Sequence, residues 1–144
     1  MRVILIVSVI VFLLAVQTAM SAPPTASNAP EIQQSGKVVT FDETNFEREV
    51  LETQQPVVVV FVSTLSKDCE QMAPVIKELA GEFDGRVKFG TLNIDANVKL
   101  ADRQRVTFTP AFVLFKQGKP TKLGSRVIPK ADLAAKIKDA LAAK

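Results

Sequence analysis

The spacing of apolar residues changes period along the chain, and each period predicts an element. Residues 57–62 (VVVVFV) form a continuous run of β-branched and aromatic side chains, typical of a central strand that is covered on both faces. Over residues 66–83 the apolar positions instead follow helical spacing, and Pro74 inside this helix predicts a kink. The apolar stripe comprises Cys69, Met72, Val75, Ile76, Leu79 and Phe83.

Shorter elements are predicted around this strand and helix. They are strands over residues 38–41, 87–94, 111–115 and 121–127, and helices that begin at Asp42, at Asn97 and at Pro129. Gly90 interrupts the apolar alternation of its strand, which predicts a bulge or a close packing approach. Residues 116–119 (KQGK) predict a short hairpin turn. The resulting order, β-α-β-α-β-α-β-β-α, predicts an α/β domain with a central mixed sheet and helices on both of its faces.

Residues 1–36 differ from the remainder of the chain. Arg2 precedes an apolar run over residues 3–16, and small and polar residues follow up to Ala22, so residues 1–22 are predicted to be a signal peptide. This segment also approaches the length of about 20 residues that spans a bilayer, and an uncleaved membrane anchor is the alternative. Residues 23–36 are rich in Pro, Ala, Ser and Gln, which predicts a flexible linker. We therefore expect an exported domain over residues 37–144, either secreted, periplasmic or lumenal, or anchored to a membrane.

Composition excludes several kinds of chemistry. The 144 residues include one Cys and no His, Trp or Tyr, so nucleophile activation by His and transition-metal sites are excluded, and neither a metal nor a cofactor is predicted. The net charge of +3 is too small to predict nucleic-acid binding. Basic residues prevail from Lys99 onward. They form either an ordinary solvated surface or a docking face for an acidic partner.

Several strings, in this order and spacing, resemble the thioredoxin family over residues 38–144. They are PVVVVFV at 56–62, MAPVI at 72–76, LNID at 92–95, TPAFVLF at 109–115 and KQGK at 116–119. The resemblance implies a thioredoxin fold. It also implies that the segment Thr109-Pro110 is the cis-proline segment that faces the active site of the family, where the backbone before the proline pairs with a bound peptide.

The centre of the site departs from the family pattern. The family has W-C-G-P-C between the central strand and the following helix, and this chain has Leu65-Ser66-Lys67-Asp68-Cys69. Ser66 therefore stands in place of the first cysteine, and the pair forms an SxxC motif in place of CxxC. The buried acid of the family falls at Val60, and the lysine that often neighbours it falls at Thr91.

These replacements limit the redox chemistry of the site. A serine hydroxyl cannot form a disulfide, so two-electron exchange through an internal disulfide is excluded within one chain. Ser is a favoured N-cap residue, and Ser66 is predicted to accept a hydrogen bond from an N–H at the start of the helix. Cys69 is either a small buried hydrophobic residue or a thiol that forms a mixed disulfide with a partner.

Three functional hypotheses follow. The first is a redox-inactive thioredoxin-like protein that binds polypeptide clients in a groove bounded by Leu65, Ser66, Thr109 and Pro110, with Leu65 keeping the groove apolar. The alternative is a monothiol oxidoreductase that uses Cys69 for thiol-disulfide exchange with glutathione or with a partner's cysteine. The third is a purely structural domain that uses neither the groove nor the thiol.

Overall fold

A five-stranded mixed sheet organises residues 36–144, the part of the chain that the computed structural model describes. The strands are β1 (Val38–Phe41), β2 (Val57–Val62), β3 (Lys88–Asn93), β4 (Ala111–Lys116) and β5 (Lys119–Ser125). Their order in the sheet is β1-β3-β2-β4-β5. The predicted leader at residues 1–22, and the predicted linker except Gly36, lie outside the described residues.

Strand β2 lies at the centre of the sheet, as its sequence predicted. It pairs in parallel with β3 and antiparallel with β4. Its first five side chains, from Val57 to Phe61, are fully buried. Alternate side chains point to opposite faces of a strand, so five successive buried residues require cover on both faces.

Helices provide this cover on each face. They are α1 (Glu47–Leu51), α2 (Lys67–Glu82), α3 (Val98–Arg103) and α4 (Lys130–Ala142). Helices α2 and α4 pack over Val58 and Val60, whereas α1 and α3 pack over Val57, Val59 and Phe61. The predicted fold class is therefore confirmed. None of the helices between residues 36 and 144 has the length and apolar character needed to cross a membrane.

The first helix is shorter than the segment between Asp42, its predicted start, and Pro56, where a proline is expected to end it, and it is wider than an α-helix. The Asp42 carboxylate accepts hydrogen bonds from the backbone N–H groups of Thr44 (2.8 Å) and Asn45 (3.1 Å), which is the expected role of a capping residue. The helical segment that follows is a single π-type turn, closed by the Glu52 N–H bonding to the Glu47 carbonyl oxygen at 3.0 Å. Residues 52–55 are polar and mostly exposed, so burial offers no stabilisation for a further turn.

The irregularity predicted at Gly90 is a close approach, because the register of β3 with both neighbouring strands is continuous. A Cβ atom at this position would lie 2.1 Å from Cε2 of the Phe41 ring. Phe41 is fully buried, so the ring cannot move aside without disturbing the core. Glycine is therefore required by packing against β1.

Strand β5 begins two residues earlier than predicted and ends at Ser125 rather than at Val127. Gln117 (φ 51°) and Gly118 (φ 77°) both have positive φ, the pattern of a type I′ turn, so only two residues connect the strands and Lys119 already pairs with Lys116. At the other end, Arg126 has a φ of 66°, which turns the backbone away from the sheet.

Candidate functional site

The candidate site lies at the carboxyl end of β2, where residues 63–66 connect this strand to α2. Asp95 follows the neighbouring parallel strand β3 and holds this loop. Its carboxylate accepts hydrogen bonds from the Thr64 N–H (3.0 Å), the Thr64 hydroxyl (3.0 Å) and the Ser63 hydroxyl (3.0 Å). Because β2 and β3 are parallel, their carboxyl ends meet at one edge, and this brings Asp95 to the loop.

Asp95 is a residue that the sequence analysis did not identify as part of the site. The hydrogen bond from the Thr64 N–H, followed by that from the Ser63 hydroxyl, lowers the pKa of Asp95 below its ordinary value. The carboxylate is therefore the form that holds the loop at neutral pH. The available signal was an acid placed directly after the end of a predicted strand, within the string LNID.

We expect an Asp95→Asn variant to be less stable than the unaltered protein at pH 7, because an amide accepts the three donors more weakly than a carboxylate does. Because folding lowers the pKa of Asp95, its carboxylate contributes fully to folding stability at pH values above the ordinary pKa of a carboxyl. This contribution is lost as the pH falls through the lowered pKa. The urea midpoints of the variant and of the unaltered protein, measured from pH 7 to pH 2, should therefore converge at low pH. Asp132→Asn, an exposed substitution on α4, is the control. A difference in midpoint between Asp95→Asn and the unaltered protein that stays constant with pH would contradict the role of the Asp95 carboxylate.

Ser66 occupies the N-cap position of α2, but its hydroxyl makes no capping hydrogen bond, so the predicted capping interaction is wrong. The hydroxyl instead donates to the carbonyl oxygen of Thr109 at 3.4 Å. The first turn of α2 closes through the backbone, where the Cys69 N–H donates to the Ser66 carbonyl oxygen at 3.1 Å. The Ser66 side chain is thus available for a contact across the site.

The Thr109–Pro110 peptide bond is cis, as the resemblance implied. Pro110 is buried, and its carbonyl oxygen accepts a hydrogen bond from the Arg126 N–H at 2.7 Å. The Ser66–Thr109 hydrogen bond brings the start of α2 together with this segment. Leu65, next to Ser66, projects into solvent with 89 % of its surface exposed. Three of the four predicted groove positions therefore meet, and the fourth is an exposed apolar side chain beside them.

Cys69 lies in the first turn of α2 and is buried, with 9 % of its surface exposed. This burial agrees with the interpretation of Cys69 as a small hydrophobic residue on the apolar stripe. The residue also lines a cavity of about 380 Å³ between α2 and strands β1, β2 and β3, together with Val62, Ile76 and Thr91. The walls of this cavity are predominantly apolar.

The region beneath the site has no buried acid. Val60 is fully buried and pairs with Thr91 across β2 and β3, so neither position supplies an ionisable group. Among residues 36–144, Asn97 is the only buried polar or charged side chain. Neither position therefore holds the buried acid or the neighbouring lysine that the family resemblance implied.

Two residues beside the cis-proline segment were not predicted from the sequence. Phe108 directly precedes Thr109 and is 52 % exposed. The guanidinium carbon of Arg126 lies 4.5 Å from the centroid of the Phe108 ring, a cation–π contact. Phe108 belongs to no predicted strand or helix, and an isolated aromatic residue in a loop was the available signal.

Comparison with known proteins identifies the family of the chain. A model of the thioredoxin family matches residues 37–139. The chain is 36 % identical over 83 residues to thioredoxin from Thiocapsa roseopersicina, which covers 58 % of this chain and 91 % of that protein. It is 34 % identical over 103 residues to thioredoxin from Pseudomonas aeruginosa, covering 70 % and 94 % of the two chains. For thioredoxin from Synechocystis sp., the identity is 29 % over 116 residues, or 81 % and 94 % of the two chains. The chain therefore belongs to the thioredoxin family.

Proposed function

We propose that this protein is an exported member of the thioredoxin family that binds polypeptide clients without dithiol exchange. The clients would occupy the groove beside the SxxC motif and Pro110. The observation that carries the proposal is the placement of the Ser66 hydroxyl against the Thr109 carbonyl oxygen, because the group at the start of α2 that faces the groove is not a thiol. The family acts on protein substrates, which supports a polypeptide as the ligand.

The side chains of Ser66 and Cys69 permit client binding but not redox turnover. Reduction of a disulfide by a dithiol needs one thiolate to attack and a second to resolve the mixed disulfide. Ser66 supplies neither, and Cys69 is the only cysteine of the chain. Leu65 and Phe108, which directly precede Ser66 and Thr109, are large exposed apolar side chains, and such side chains favour binding to an extended polypeptide.

The backbone at the groove is suited to pairing with an extended client. The hydrogen bond from the Ser66 hydroxyl to the Thr109 carbonyl oxygen is 3.4 Å long, beyond the usual range of about 2.5–3.0 Å for O–H···O hydrogen bonds, and it is therefore weak. An N–H of a client strand can replace this hydroxyl at little cost in free energy. The exchange would leave the Ser66 hydroxyl free to bond with the client in turn.

A photo-cross-linking residue placed at Leu65 should capture an unfolded client, such as reduced and carboxymethylated lactalbumin, because this side chain borders the groove and is 89 % exposed. The same residue placed at Lys138, on the exposed side of α4, is the matched control and should give little product. Equal capture at both positions, or none at Leu65, would contradict the proposal.

The second candidate is monothiol exchange through Cys69, and the observation in its favour is that Cys69 lines the 380 Å³ cavity. Its burial opposes the candidate, since exchange requires an accessible sulfur. Titration with a bulky thiol reagent, under native and then denaturing conditions, distinguishes the two functions. Rapid reaction of the native protein supports exchange, and reaction only after denaturation supports binding without it.

Export is the other part of the proposal, and it is supported by the basic, apolar and small-residue order of residues 1–22. Expression of the full chain, followed by fractionation and N-terminal sequencing, tests it. A mature chain that begins after the apolar run, outside the cytoplasm, is the expected result. Retention of Arg2 in an exported, membrane-bound protein would indicate the anchor instead.

A further inference from the structure

The surface beside the cis-proline segment carries several cations. Residues 103–108 and 122–126 together contain Arg103, Arg105, Lys122 and Arg126, with no Asp or Glu. In the part of the chain that the structure describes, the salt bridges are made by other cations, namely Arg48, Lys88 and Lys130. None of these four cations therefore makes a salt bridge within residues 36–144. Arg103 lines a separate pocket with Glu43 and Glu47, which leaves Arg105, Lys122 and Arg126 beside the cis-proline segment.

Arg126 is oriented by two contacts. Its backbone N–H donates to the carbonyl oxygen of Pro110 at 2.7 Å, which ties it to the groove. Its guanidinium lies over the Phe108 ring at 4.5 Å. A guanidinium stacked on an aromatic ring keeps its N–H donors directed along its edges, where they can bind a carboxylate in a bidentate manner. Stacking also restricts the side chain before binding, which reduces the entropy lost in a complex.

A small pocket adjoins this stacked pair. Arg105, Phe108, Lys122 and Ser125 line it, and its volume is about 90 Å³. That space suits the end of an acidic side chain, and two of the lining residues are cations.

We propose that Arg105, Lys122 and the Phe108–Arg126 pair form a recognition site for an Asp or Glu side chain of the bound client. The inference rests on the proposed function, and it narrows the client class to extended polypeptides that carry a carboxylate near the apolar residue bound beside Leu65. Charge complementarity supports this occupant, since a neutral or basic segment would leave the positive charges of Arg105, Lys122 and Arg126 unpaired next to the groove.

The test compares two fluorescent peptides with the same extended, apolar-centred sequence, one containing two Glu residues and the other two Gln residues. We expect fluorescence anisotropy with the purified protein to show the Glu peptide binding about fivefold more tightly at low salt, a typical effect of a partly exposed ion pair. The preference should shrink at 0.5 M salt, because screening weakens exposed charge pairs.

Variants locate the site. Arg126→Gln should remove most of the preference, Arg126→Lys should restore part of it, and the exposed control Lys138→Gln should leave it unchanged. Lys122→Gln provides an independent test if Arg126→Gln fails to fold. Equal affinity of the unaltered protein for both peptides would overturn the recognition site and leave peptide binding intact. Failure of both peptides to bind would overturn the proposed function, and the recognition site with it.

Discussion

A Ser66→Cys variant is expected to gain disulfide-reducing turnover that the unaltered protein lacks. With two thiols, the introduced one can attack a substrate disulfide, and Cys69 can then attack the mixed disulfide and release the reduced substrate. The new thiol would stand at the start of α2, where free N–H groups and the helix dipole stabilise a thiolate. Insulin reduction with dithiothreitol should rise to about tenfold or more above the background rate of the unaltered protein, because only a dithiol completes the cycle.

Two matched variants control this experiment. Ser66→Ala removes the hydroxyl without adding a thiol, and the double variant Ser66→Cys/Cys69→Ser moves the single thiol to the start of the helix. Neither should turn over, since each contains at most one sulfur at the site. Turnover by the unaltered protein comparable to that of Ser66→Cys would contradict the proposed redox-inactive function. A folded Ser66→Cys protein that forms no internal disulfide would show that the loop holds the two positions too far apart.

Introducing an acid at position 60 is expected to cause the largest loss of stability. Val60 is fully buried, in contact with the core formed by α2 and α4, and its partners in the sheet are Thr91 and Phe112. No cation is among these neighbours. A Val60→Asp variant should therefore lose about 3–5 kcal/mol of unfolding free energy at pH 7, the usual cost of an unpaired buried charge. Denaturant unfolding followed by circular dichroism measures the change.

The pH dependence separates charge from shape. Burial raises the pKa of a carboxyl, so the charge penalty develops as the pH rises above about 4, the ordinary pKa of Asp. Val60→Asn has a similar shape and no charge, and its loss of stability should not change between pH 4 and pH 7. The gap between the two variants should therefore widen with pH, and adding Thr91→Lys to Val60→Asp should narrow it. Equal stability of the Asp and Asn variants at pH 7 would contradict the expectation.

The fold could be predicted from sequence because the strongest elements depend on local patterns. Residues 57–62 are all apolar. A strand with this composition is stable where both faces of the sheet are covered, which predicts a central position. The apolar stripe of α2 repeats at helical spacing and predicted its length to within one residue at each end. Less certain patterns gave less accurate bounds, as at α1, where few buried side chains specify the helix.

The sequence predicted which residues belong to the candidate site better than it predicted their hydrogen-bond partners. The sequence placed Ser66 at the start of a helix, where local capping was the expected interaction. The hydroxyl instead bonds with Thr109, a residue 43 positions away. The sequence left two interpretations of Cys69 open. Its place on the apolar stripe predicts burial, whereas its place in the first turn of the helix favours a reactive thiol.

By itself, the sequence determined which segments become strands and helices, and it determined that only one thiol is present at the centre of the site. The tertiary structure alone decided that Asp95 holds the loop after β2, that Ser66 faces Thr109, and that Arg126 stacks on Phe108. The physical reason is that hydrophobic periodicity reports which face of an element is buried. Contacts between loops depend on which strands become neighbours, and the order β1-β3-β2-β4-β5 brings distant loops to one edge of the sheet.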